Sequence, residues 1–184
     1  MSPLGKVVIG FLLVVFDFRF EGFDLVPDLL GWLLVLAGLM PLTGRSRGFA
    51  VAAVAAAAGA LLALPLQLSE PGPVLGFLEA VAQTALVFGT CTGVRALVAE
   101  PRVRRTADRI RWADLALTGV GTAIGLVADG DTTVDGAAVG PLLVLVAAAL
   151  AVAVWFLVFL WSQREQPELL SGPGSADGLE PGTP

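Results

Sequence analysis

The sequence predicts an all-α polytopic membrane protein, a single bundle of about six transmembrane helices with both termini cytoplasmic. Three observations predict it. The first is composition: of 184 residues, 56% are hydrophobic and 15% charged, and the mean hydropathy is +0.84. A soluble domain carries about 25% charged residues, so this chain has too few charges to cover a water-facing surface. The second is a series of apolar stretches approaching the length of about 20 residues with which a helix crosses a bilayer core of about 30 Å. The third is the placement of the cations, which separates the loops into two kinds.

The first predicted span covers about 3–18, with the core VVIGFLLVVF at 7–16. It is short, about 24 Å at 1.5 Å per residue. A cleavable signal peptide is the competing reading of 1–24, but DFRFEGFD follows where a small-residue cleavage site belongs, so a retained helix is expected. The second span, about 25–40, is equally short. The third, 48–66, is Ala-rich and should pack closely. The fourth, about 74–98, is long enough to tilt, the fifth is about 112–128, and the sixth, 141–161, contains no charge. The spans make one transmembrane domain, 1–162. Residues 163–184 are rich in Pro, Gly and acids, and are expected to form a disordered cytoplasmic tail.

The eleven cations test this count. With both ends inside, the inner segments hold Lys6, Arg45, Arg47, Arg95, Arg102, Arg104, Arg105, Arg109, Arg111 and Arg164, and the outer segments hold only Arg19. The outer loops are acidic, with Asp17, Glu21 and Asp24, then Glu70, then Asp129, Asp131 and Asp135. This is the distribution that the positive-inside rule requires, and Trp112 and Trp161 both fall at the inner boundary. Five spans with an outer amino terminus would put Lys6 outside. The preference for Arg over Lys matches a GC-rich bacterial genome, so the expected location is a bacterial plasma membrane. The basic segment 102–111 reads as an amphipathic connector lying on anionic lipid, and no nucleic-acid partner is expected.

Candidate site residues concentrate in the first outer turn, which runs Asp17-Phe-Arg19-Phe-Glu-Gly22-Phe-Asp24 and continues to Pro27, Asp28, Gly31 and Trp32. Gly22 permits a tight turn, Asp24 suits the N-cap of the second helix, and Asp28 complements its dipole. Arg19 is what capping leaves unexplained. Polar groups at membrane depth are paired and face the protein interior, or else serve function. Arg19 therefore either clamps the hairpin through Asp17, Asp24 or Asp28, or contacts a ligand. The pattern Asp17-Phe18-Arg19, Gly22-Phe23-Asp24, Pro27-Asp28 and Gly31 resembles the amino-terminal signature D-F-R-x-x-G-F-D-x-x-P-D-x-x-G of a group of small uncharacterised bacterial integral membrane proteins. The likeness covers about 5–42. It implies membrane location and an ordered hairpin, and no substrate.

Glu79 and Gln83 are the second candidate. They are four residues apart and share a helix face one to two turns inside the fourth span. Glu79 either reaches the outer interface, where it can pair with Arg19, or forms a cation or proton site. Asp129-Gly-Asp131-Thr-Thr-Val-Asp135-Gly136 opens like a calcium loop, but it has no Gly at its sixth position and Gly140 stands where the bidentate Glu belongs, so it reads as a solvated outer loop. Gly121-x-x-x-Gly125, extended by Thr118 and Thr122, reads as a close helix-packing face. The single cysteine, Cys91, lies in an apolar run and is expected in the core.

With no His, no Tyr and one Cys, the chain has no His-based triad, no His/Cys zinc site and no intramolecular disulfide. No catalytic residue, metal or cofactor is expected, and the expected partners are the lipid bilayer and other membrane proteins. Three function classes follow. A structural or accessory membrane protein without turnover is favoured by how little polar material the spans contain. A small-solute or ion transporter or channel would need Glu79, Gln83, Arg19 and the outer acidic hairpin to converge. An enzyme would have only carboxylates for acid–base chemistry.

Overall fold

The computed structural model describes all residues except 16–18, 21–22, 25–27, 69–72, 128–135 and 171–184. Six long helices account for most of the described chain: α1 (Pro3–Val15), α2 (Asp28–Leu39), α3 (Arg47–Leu68), α4 (Pro73–Leu97), α5 (Pro101–Val127) and α6 (Gly136–Gln163). Between α1 and α2 run the two-residue strands β1 (Arg19–Phe20) and β2 (Phe23–Asp24), paired antiparallel. A 3-10 turn, Met40–Leu42, follows α2, and a single helical turn, α7 (Pro167–Leu170), follows α6.

Each helix packs against its neighbours in sequence, and α6 closes back onto α1, so the six form a ring. The closure is marked by Phe11 of α1 and Phe156 of α6, whose rings meet edge to face at 5.3 Å. The sequence dictates which faces turn inward. In α1 the buried side chains Leu4, Val7, Val8, Phe11 and Val14 recur at helical spacing, while Ile9 and Leu12 stay exposed. In α5 the pattern is amphipathic at the start: Val103, Ala107 and Ile110 are buried, and Arg102, Arg104, Arg105 and Arg109 point out.

Small residues set how closely neighbours approach. A Cβ on Gly10 would fall 2.6 Å from the Gly31 carbonyl oxygen, and one on Gly31 would fall 2.8 Å from the Gly10 oxygen. The backbones of α1 and α2 therefore touch, which only glycine at both positions permits. On the other side of α2, the indole of Trp32 lies flat on Gly59 and is fully buried. Helices α3 and α4 make a second close seam through Gly48, Gly89 and Gly93, so the third helix packs as its composition predicts. Gly121 departs from expectation: a Cβ there would meet only Leu145, at an ordinary 3.7 Å. The close faces lie on α1–α2 and α3–α4. Gly121 instead has open space beside it.

Three helices are long and apolar enough to cross a membrane: α3 over Arg47–Leu64, α4 over Val74–Leu97 and α6 over Gly140–Gln163. Helices α1 and α2 are apolar but shorter, α1 being 13 residues long. Large apolar side chains stay exposed on the outside of the ring, among them Val54, Leu61, Leu143, Val144 and Val158.

Two boundaries differ from the sequence reading. The basic connector 102–111 and the fifth span are one helix, α5, because Pro101 starts it and neither Gly nor Pro interrupts it before Gly119. The tail also begins later than residue 163: α7 packs on α4 with Leu169 buried, so apolar contact holds 164–170 in place. Residues 171–184 lie outside the described residues.

Candidate functional site: a cavity with one carboxylate

Helix α4 runs antiparallel to α5, and their polar contacts fix the register: Thr84 meets Thr118, Thr92 meets Arg111, and Arg95 meets Asp108. At the Thr84 level the ring does not close fully. A cavity of about 420 Å³ lies between α1, α4, α5 and α6. Its α1 wall is the last turn and a half, from Phe11 to Val15, so it sits toward the end where α1 hands over to the β pair. The α6 wall is apolar throughout, from Leu145 to Phe156. Among the described residues, polar groups reach the cavity only from α4 and α5, as Gln83, Asp114 and Thr118.

Asp114 carries the only formal charge among the described residues of this lining. It is half-buried, Thr84 sits beside its carboxyl group, and its Oδ2 is buried without a hydrogen-bond donor. The Thr84 and Thr118 hydroxyls are bonded to each other at 2.8 Å. A carboxylate withdrawn from water needs donors or a cation, because burial of a lone charge is costly.

One turn along α5, the nearest cation is already engaged. The Arg111 guanidinium pairs with Asp108 at 2.8 Å and donates to Thr92 Oγ1 at 3.3 Å. It also stacks over the Phe88 ring at 5.0 Å and approaches the Trp112 ring at 5.6 Å. Arg95 joins the same Asp108 oxygen at 3.5 Å. This network fills the α4–α5 interface on the side of Asp114 away from Thr118, three residues or about 4.5 Å along the helix.

The structure places the sequence candidates as follows. Gln83 lines the cavity. Glu79, one turn earlier on α4, is half-buried and is not among the lining residues. The backbone register sets Arg19 opposite Asp24. Asp24, expected as the N-cap of α2, instead lies on β2, because α2 starts four residues later at Asp28. Asp28 itself is half-buried in the first turn of α2, as its dipole role requires. Asp17 and most of the 129–136 acidic loop lie outside the described residues. Cys91 is fully buried, as expected. Among the described residues no group of three or more acids and cysteines is arranged to hold a metal ion.

Sequence reasoning missed Asp114, Thr84, Arg111 and Asp108. The signal was present for Asp114, the one acid within the fifth apolar stretch, 112–128. Comparison with known proteins found no matching family model, curated protein or solved structure.

Proposed function

We propose that this chain is an integral protein of a bacterial plasma membrane, with six spans and both termini cytoplasmic, and that it works without catalysis as a carrier for a small solute. The observation that carries the reading is the cavity at Asp114. Its volume suits a small molecule, most of its lining is apolar, and its few polar groups converge from two helices, as ligand pockets are built. Arg95, Asp108 and Arg111, one turn along the α4–α5 interface, bond to one another and are not among the lining residues, so the polar lining of the cavity does not continue through them, which favours binding and release over conduction.

The topology is supported by where the cations gather. Lys6, Arg45, Arg47, Arg95, the basic start of α5 and Arg164 lie at starts of odd-numbered helices or ends of even-numbered ones, which is one end of an alternating ring. The short α1 and α2 cross by thinning the local bilayer, at a modest cost per ångström of mismatch. The register of Arg19 against Asp24 supports the hairpin clamp. A second reading, an accessory protein that holds other membrane components together, is favoured by the rigid glycine seams of α1–α2 and α3–α4.

The topology is tested by thiol labelling. In a Cys91→Ala background, Ser46→Cys and Ser175→Cys should react with a membrane-impermeant maleimide only after the cells are opened, and Thr132→Cys in intact cells. Labelling of Ser46→Cys in intact cells would overturn the orientation.

A further inference from the structure

The chemistry of the cavity narrows its ligand. Of the described lining residues only Asp114 is charged, and the cation one turn away on α5, Arg111, is held by Asp108, Thr92 and two aromatic rings. An anionic or zwitterionic solute would bring a negative group with no cation among the described lining residues to receive it. A hard metal cation takes six or more oxygen ligands, and the lining offers three polar side chains, one of them already bonded to Thr84. A small hydrated cation would also have to shed water against walls that are otherwise apolar.

What remains is a solute with one positive charge and an apolar body. Phe11 and Phe156 stand in the wall opposite the polar groups, and a ring face attracts a cation or packs an aryl or alkyl group. We propose that the cavity binds a lipophilic monocation, an alkyl- or aryl-substituted ammonium or phosphonium, with its charge against Asp114 and its body against the α1 and α6 walls. This rests on the carrier reading above and gives it a ligand class. The buried Asp114 Oδ2, which no donor reaches, is neutralised when such a cation is bound.

The test is equilibrium binding to the purified full-length chain in lipid nanodiscs with three probes of similar shape: tetraphenylphosphonium, neutral triphenylphosphine oxide and tetraphenylborate. Tetraphenylphosphonium should bind saturably and tetraphenylborate should not. Asp114→Asn should weaken tetraphenylphosphonium on the order of thirtyfold, the cost of truncating one partner of a buried charge pair, with Asp114→Glu restoring part of it. Ala149→Trp, which fills the cavity from α6 and leaves the carboxylate in place, should abolish binding of either cation or neutral probe. If the neutral probe binds as tightly as the cation, is lost in Ala149→Trp and is unchanged in Asp114→Asn, the cation assignment is overturned and the carrier reading stands. If no probe binds in a way sensitive to Ala149→Trp, both fall.

Discussion

Arg111 is the most constrained charged side chain among the described residues. Its side chain is 13% exposed, paired with Asp108, bonded to Thr92 and set against the rings of Phe88 and Trp112. Removing it leaves Asp108 with only the longer contact to Arg95. Arg111→Ala should therefore lower stability by about 1–3 kcal/mol, less than a fully buried pair because Asp108 is partly exposed. Arg109→Ala, two residues away on the exposed face, should be neutral within about 0.5 kcal/mol. Thermal melting of the two variants in detergent checks the contrast, and equal melting temperatures would refute it. The same residues show where reading from sequence stops. Arg111 is visible as a topogenic cation, but two of its partners, Thr92 and Phe88, come from α4, 19 and 23 residues earlier in the chain. Asp114 is visible as an acid in an apolar stretch. What makes it a candidate site is the gap beside it, and a gap is a property of four helices together.

At the scale of the helix, periodicity and punctuation were enough to find the elements. Each of the six long helices covers one of the apolar stretches that composition marks out, α5 also taking in the basic connector before it, and their ends follow Pro73, Pro101 and the 3-10 turn at Met40–Leu42. The glycines were harder to assign, because spacing alone does not say which helix faces them. Gly121 and Gly31 look alike in sequence. Gly31 opposes a backbone oxygen, while a Cβ on Gly121 would make only an ordinary contact with Leu145. Gly31→Ala should thus destabilise by about 1–3 kcal/mol, since an added methyl collides with backbone and with Val14. Gly119→Ala, with nothing within 4 Å, should stabilise by up to about 1 kcal/mol through helix propensity. Opposite shifts of the melting temperature are expected. If Gly31→Ala were tolerated, the α1–α2 seam would not be as close as described.

For the whole molecule, the closed order of helices explains why a site forms where it does. Tight seams hold α1 to α2 and α3 to α4, with Trp32 pinning α2 to Gly59 of α3. The cavity lies across the ring from that pinned contact, where α5 and α6 meet α1 and α4 with no glycine-to-glycine contact among the described residues. Outside the ring, exposed Leu and Val side chains make a surface suited to lipid. The composition that marks the chain for a membrane also leaves few residues able to define a binding site, and Asp114 is the charged one among the described residues lining this cavity.

The proposed function requires that this space hold water inside the membrane. Gly121 lines the cavity, and a cysteine there meets only Leu145. Val120, next to it, is exposed on the outer surface of the ring. In a Cys91→Ala background and in native membranes, a small cationic methanethiosulfonate reagent should modify Gly121→Cys, and faster than an anionic one of the same size because Asp114 lines the same space. Val120→Cys, facing lipid, should stay unmodified. Equal rates at 120 and 121, or no reaction at 121, would contradict the cavity on which the proposed function rests.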